Sequence, residues 1–414
     1  MKTKQFLRYA LTFSAALSLT GPAFTQPTST ASPADGSAVT NATSAPVAYV
    51  YVGTSRGVNL YYAASNGRLT LVSGSPFKTT GLMIGSNQKY FISLGTYYLH
   101  SYAVKTNGAI GAQVTENYTP DFSGSECGTT NGAVLDHSGQ NVYVQLNVPP
   151  DGNPVCNAFQ TFKIASDGYL LAFLASTTTY TDGAPPQRNL PTILANDKFA
   201  YAVNDFYQPA DGTFLTGSSV FAIASTGSIQ YQNLFWHFPP PYQDDEEEVW
   251  FPLAVTADPT NHLAVLMHAW YAPPYGNTAS PQLGSFTADS QGNISTTNTW
   301  KNMPTPDVFR ILNGEPDGPV VLNISPNGKL LAVGGQLGLE VFHFNVPAPI
   351  TRYSKVLTPP VQIVSARWDK SNHLYALSAN GKLYVYTITP TSIAAAPGSP
   401  YTISGPAALF VVPK

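Results

Sequence analysis

The stretch Val320–Phe344, VVLNISPNGKLLAVGGQLGLEVFHF, constrains the fold most, because variants of it recur along the whole chain. It reads as an apolar strand (Val320–Ile324), a Ser-Pro-Asn-Gly turn, a second apolar strand (Lys329–Gly334), a short loop and an alternating third strand (Leu339–Phe344). Pro326 presets its own φ and Asn327-Gly328 tolerates a left-handed backbone, so the two hydrophobic runs are joined tightly. Second strands centred on Tyr51, Phe91, Tyr143, Tyr201, Val265, Leu331 and Tyr375 follow turns such as DHSGQ, DPTNH and DKSNH. Alternating third strands (VNLYYAA, YLHSYAV, KLYVYTI) lead through Gly-containing turns such as KTNG and ASDG into a weaker fourth strand. A unit that cannot bury its own faces must stack on copies of itself. Four antiparallel strands in each of seven units predict an all-β fold, a seven-bladed β-propeller. Blade one lacks an innermost strand of its own, and Pro406–Pro413, PAALFVVP, is expected to supply it, closing the ring and removing its open sheet edges.

Three segments are predicted. Residues 1–25 carry Lys2, Lys4 and Arg8 ahead of the apolar run Tyr9–Leu19 and read as a secretory signal peptide. Residues 26–46 are a Ser/Thr/Pro-rich disordered tether, and residues 47–414 are the propeller. The apolar run is too short to span a bilayer and no later run approaches the required length, so an exported protein, periplasmic or extracellular, is expected. Charged residues make up 10% of the chain and the net charge is −3. That balance offers no basic footprint for nucleic acid. A monomer is expected, with a small molecule, a carbohydrate or a protein as ligand. Cys127 and Cys156 are the two cysteines, and an oxidising compartment would pair them as a disulfide, with two buried thiols as the alternative.

Strands alternate in direction within a blade, so inter-blade loops and second-to-third loops emerge on one face. The long insertions Asn147–Asn157, Asn204–Ser218 and His268–Pro281, with the linkers Gly183–Pro191, Trp236–Pro252 and Lys301–Gly318, therefore gather on one rim. Long loops on a rigid scaffold commonly carry function, and this rim is the expected working face. His137, His262 and His373 fall in first-to-second turns on the opposite face, where they are expected to be solvated. None has the spacing of a transition-metal site.

AYVYVGTSRGVNLYY at the start, FAYAVNDF at 199–206, NISPNGKLLAVGGQ at 323–336 and the shorter GSPF and GSPY at 74–77 and 398–401 carry a family likeness. They resemble the lactonase-type seven-bladed propellers, the group with 6-phosphogluconolactonase and the carboxymuconate-lactonising enzymes, over about residues 47–414. The resemblance implies the propeller fold and a ring-opening hydrolase. Asp205 falls where the family has a Glu after Tyr-x-x-Asn, and Gln336 matches the family's Gln after the blade-six strand. The family's Arg-His ahead of blade four is Asn189-Leu190 here, with Arg188 one residue early. Asn131 stands for a His entering blade three, and His268-Ala269 for an Asn-Arg ending the second strand of blade five.

Opening a lactone takes a base for water and a cation or donor for the oxyanion. Asp205 and His268 are the candidate bases, and Arg188, Arg310 and Arg56 the candidate electrophilic partners. Loop bracing for the arginines, turn capping for Asp205 and simple packing for His268 compete with those roles. The segment Trp236–Phe251, WHFPPPYQDDEEEVWF, places five consecutive acids between aromatic and proline-rich flanks. Neighbouring carboxylates on an extended chain point alternately away, so a solvated acidic loop is expected, with a calcium site from Asp244, Asp245 and Glu246 as the competing reading and no required cofactor. Trp236, His237, Trp250, Trp270, Tyr271 and Tyr207, with Tyr242 and Tyr275, form an aromatic set suited to stacking on sugars or gripping a peptide, or to packing the loops together. The leading expectation is a ligand-binding propeller working through this rim, with a divergent lactone hydrolase as the alternative.

Overall fold

The structure is a computed structural model, which describes residues 45–95, 98–118, 129–147, 158–172, 177–178, 192–208, 213–235, 248–271, 280–312 and 315–414. Seven antiparallel sheets, each built on four strands in sequence order from the axis outward, form the propeller ring. The innermost strands are Leu82–Ser86, Thr129–Leu135, Thr192–Ile193, Glu248–Ala257, Val321–Ile324 and Ile363–Trp368. Pro406–Pro413 takes that place in blade one, pairing Pro413 with Ala48 and Phe410 with Tyr51, so the ring closes as the repeat count requires.

Tight first-to-second turns leave backbone amides that the ladder cannot satisfy, and a short polar side chain at the turn's start accepts them. Asp258 Oδ1 accepts the amides of Thr260 (2.7 Å) and His262 (2.8 Å). Asp369 Oδ1 does the same for Ser371 (2.8 Å) and His373 (2.9 Å), and Asp136 Oδ1 for Gln140 (2.9 Å). Ser325 fills the position in blade six, its Oγ accepting the Leu330 amide at 3.0 Å. The histidines of these turns differ. His137 is exposed and lies 2.9 Å from Asp197 of the next blade, whereas His373 is 0% exposed. The expectation of a solvated His373 is corrected by its position beneath the Gly67 turn of blade one, with Nδ1 2.7 Å from Asp369 Oδ2. That carboxylate also accepts the Tyr375 hydroxyl at 2.8 Å.

The blades are joined by a recurring contact between the second or third strand of one blade and the third-to-fourth turn of the next. Tyr51 donates to Gly108 O at 2.7 Å, Tyr90 to Ser166 O at 2.8 Å and Ser101 to Gly168 O at 2.7 Å. The turn glycine lies flat against the preceding blade. At Gly168 (φ 89°) an added Cβ would stand 2.3 Å from Tyr90 Cε1, and at Gly292 (φ 83°) 2.6 Å from Phe199 Cδ1. Only glycine combines that backbone with that approach. Above these turns the blades bury shared apolar layers, such as Tyr201, Val203, Leu263, Val265, Met267 and Phe286 between blades four and five. Each such side chain contributes about 1.5–3 kcal/mol on burial.

In blades one, six and seven the fourth strands are only two or three residues long, and side-chain oxygens replace the missing ladder bonds. Ser75 Oγ accepts the Leu60 amide at 3.1 Å, Ser354 Oγ that of Val341 at 2.9 Å and Ser399 Oγ that of Val385 at 2.8 Å. The GSPF and GSPY phrases are therefore strand caps, each with a cis Ser-Pro bond. The Asn204–Ser218 insertion is mostly strand: the blade-four hairpin runs on to the Gln208↔Thr213 pair. Backbone pairing continues past Asn204 through Asp205↔Thr216, Phe206↔Leu215 and Tyr207↔Phe214. The Lys301–Gly318 linker likewise carries a small pairing, Ile311 with Pro316 and Leu312 with Glu315.

Gly168→Ala is expected to lower unfolding stability by about 2–4 kcal/mol, read by denaturant titration, because the new methyl meets Tyr90 at a left-handed backbone position. Asp369→Ala is expected to cost about 3–5 kcal/mol, since it leaves the buried Tyr375 hydroxyl, the His373 ring and two amides without an acceptor.

Candidate functional site

On the long-loop face a cavity of about 410 Å³ opens between the second-to-third turn of blade one and the linker into blade two. One wall is the Gly53–Val58 hairpin turn and the other is the linker Lys78–Gly81, with Ala408 of the closing strand at the back. The turn is built by Thr54, whose hydroxyl donates to Gly57 O (2.8 Å) and accepts the Arg56 amide (3.2 Å). The linker is tied to the hairpin by the paired Val58 and Phe77 backbones, at 2.8 Å in both directions. It is held from below as well: the Tyr102 hydroxyl accepts the Thr80 amide at 2.9 Å, and Ser93 Oγ donates to Thr80 O at 2.5 Å. The cavity therefore has rigid walls, and Arg56, Lys78, Ser55 and Thr79 line it with no acidic side chain among its lining residues. It presents two positive charges and hydroxyl groups, an arrangement that favours an anion.

The second polar cluster lies where the blade-five linker meets blade six. Arg310 is 67% exposed, with Nη1 3.8 Å from Asp317 Oδ2. Gln336 Oε1 accepts the Arg310 amide at 3.4 Å, and its Nε2 donates to Pro319 O at 3.5 Å, so Gln336 braces the loop that carries Arg310. Deeper in, Glu340 is 0% exposed; its Oε2 accepts the Asp307 amide at 2.6 Å and its Oε1 lies 3.5 Å from Arg352 Nη1. Arg352 also pairs with Asp307. Burial pushes the Glu340 carboxyl up, against the opposing effects of the Asp307 amide and the Arg352 charge. This group clasps the linker to blade six and lies away from the mouth cavity's residues.

The sequence candidates separate in the structure. Arg56 lines the mouth cavity. His268 is 4% exposed within the second strand of blade five, paired in register with Phe251, while Arg310 points into solvent. Asp205 and Tyr207 sit on the extended blade-four hairpin, opposite Thr216 and Phe214. Trp250, Trp270 and Tyr271 occupy the paired strands of blade five, with Glu248 opposite Tyr271. Arg188, Trp236, His237, Tyr242, Asp244, Asp245, Glu246, Tyr275, Cys127 and Cys156 lie outside the described residues. Sequence reasoning missed Lys78 and Thr79, which read as an ordinary linker, and also His100. His100 is buried with Nδ1 3.3 Å from Glu116 Oε2, and burial pushes its pKa down against the pull of that carboxylate. The signal for Lys78 was its place immediately after GSPF, a phrase that presses the linker onto the Arg56 turn.

The raised Glu340 carboxyl has a testable sign. Its contribution to stability is full below its ordinary value of 4.5 and is lost as pH rises through the higher folded value. Glu340→Gln lacks this titration, so the variant is expected to gain in melting temperature relative to wild type as pH rises from about 4.5 towards neutrality. Thermal denaturation across that range reads it; a constant difference between the two proteins would contradict the assignment.

No family model matches the sequence, and no curated protein matches it. Solved structures do match in fold. A protein from Lactobacillus plantarum is 13% identical at a TM-score of 0.56, over 88% of this chain and 99% of that one. The periplasmic gluconolactonase of Pseudomonas aeruginosa is 12% identical at a TM-score of 0.42, over 80% of this chain and 98% of that one. A puromycin hydrolase is 11% identical at 0.48, over 86% of this chain and 53% of that one. At these identities the likeness is one of fold: the chain shares a propeller ring with the Lactobacillus protein, and its chemistry has to be argued from its own residues.

Proposed function

We propose that this chain is an exported ligand-binding propeller whose long-loop face takes a hydroxyl-bearing monoanion of sugar-acid type in the mouth cavity between blades one and two. The observation that carries the reading is the cavity lining: Arg56 and Lys78 beside Ser55 and Thr79, with no acidic side chain among the lining residues, in a protein of net charge −3. A cation positions a carboxylate, and hydroxyls at fixed height select for the ligand's own hydroxyls. About 410 Å³ suits a single sugar ring or its open-chain acid. Export is part of the proposal and rests on the basic and apolar start of the sequence. The reading asks for no cofactor. It stands ahead of lactone hydrolysis because the candidate bases and cations are spread over the ring: His268 is buried in blade five and Asp205 lies on the blade-four hairpin, whereas Arg56 is in the blade-one turn and Arg310 is exposed on the linker after blade five.

Calorimetric titration of the full chain with gluconate and galacturonate, beside glucose as the neutral control, tests it. Binding of an acid but not of glucose is expected, weakened about tenfold in Arg56→Ala and in Lys78→Ala, the scale of one charge-assisted contact. The same samples are then given the corresponding lactones with a pH indicator. Turnover that disappears in Asp205→Asn or His268→Ala would replace the binding reading with the hydrolase. Acid binding indifferent to both cavity variants would move the ligand elsewhere on the propeller.

A further inference from the structure

On the face opposite the long loops, blades one and two enclose a second recess, of about 550 Å³. Tyr49, Tyr51 and Tyr90 form its walls, and Lys89, Lys105 and Lys414 reach it from three separate segments. The backbones of all three lysines are pinned: Lys89 O accepts the Val104 amide at 2.8 Å, the Lys105 amide donates to Ala109 O at 2.9 Å, and the Lys414 amide to Val47 O at 2.9 Å. The tyrosine hydroxyls are already engaged, Tyr49 with Thr106 O, Tyr51 with Gly108 O and Tyr90 with Ser166 O. They serve as wall, and the donors left for a ligand are the ammonium groups.

The lining includes no acidic side chain, and among the described residues none of the three lysines forms an ion pair. Lys414 Nζ instead sits 4.4 Å over the Tyr49 ring. Three like charges facing one concavity repel, and the chain as a whole is net negative, so the cluster is not spill-over from a basic surface. A single carboxylate would neutralise one of the three. The arrangement suits several anionic groups on one compact body. Ammonium groups act as point charges and match tetrahedral oxyanions without the planar geometry that arginine demands. We propose that this recess is a second binding site, independent of the mouth cavity, for a small polyanion bearing sulfate or phosphate groups.

Calorimetry of the full chain at low salt, with sucrose octasulfate and inositol hexakisphosphate as probes, tests the proposal. At least one is expected to bind, with affinity falling as salt is raised. The Lys89→Ala/Lys105→Ala double variant is expected to lose about a hundredfold, roughly tenfold for each charge contact removed. Arg56→Ala should bind as wild type does. Preference for the octasulfate would identify a sulfated ligand, and preference for the hexakisphosphate a phosphorylated one. Lys89→Gln/Lys105→Gln keeps the side-chain bulk, and an unchanged melting temperature in either double variant separates lost binding from lost fold. Absence of binding by both probes, binding that survives both double variants, or loss in Arg56→Ala alone would overturn the proposal.

Discussion

The contact between a strand aromatic of one blade and the third-to-fourth turn of the next is the constraint on which the ring depends. Tyr90 packing on Gly168 and Phe199 on Gly292 bring backbone and ring closer than any side chain would permit. Hydrogen bonds such as Tyr51 to Gly108 O add direction to that packing. Each bond contributes only about 1 kcal/mol net, but it sets the height at which adjacent sheets meet. Apolar layers such as Leu331, Val333 and Phe342 against Leu266 and Leu283 then fall into register. Closure by Pro406–Pro413 makes the constraint circular, so that blade one is held from both sides.

Short polar side chains do a second job throughout the ring, standing in for backbone ladder that the chain is too short to supply. Aspartates accept the amides of the first-to-second turns, and serines at Ser75, Ser354 and Ser399 cap third strands whose neighbours are only two or three residues long. This explains why a chain with so few charges holds many of its acids in turns. Asp136, Asp258 and Asp369 are buried structural groups. The GSPF phrase that looked like a family mark is one of these caps, and by fastening the linker to Val58 it also positions Lys78 at the mouth cavity.

Charge is divided between the two faces in a way that the overall balance conceals. Arg56 and Lys78 share one concavity, Lys89, Lys105 and Lys414 another, and both lie between blades one and two. The described acids at the far side of the ring are spent on neighbours: Asp197 on His137, Asp317 on Arg310, Asp307 and Glu340 on Arg352. Asp197 shows the consequence, since burial alone would raise its pKa but the hydrogen bonds from His137 and Ser138 outweigh that and hold it low. Among the described residues, the five cations that line these two concavities form no ion pair.

The blade follows from local residue patterns. Apolar alternation, Asn-Gly and Asp-initiated turns and the recurring spacing are local properties, and a strand period of two leaves one register that buries the apolar face. Its seven second strands and the closing role of Pro406–Pro413 were legible for that reason. Packing between blades set what no local pattern encodes. Asp205 lies on a continuous hairpin because ladder hydrogen bonds outcompeted the loop. His373, in a turn that reads as solvated, is buried because the next blade's turn closes over it. Lys78 and Arg56 lie twenty-two residues apart in sequence, and Lys89 and Lys414 stand at nearly opposite ends of the described chain. They share cavities only because the ring brings blade one against blade two, and proximity of that kind is a property of packing, invisible to any pattern read along the chain.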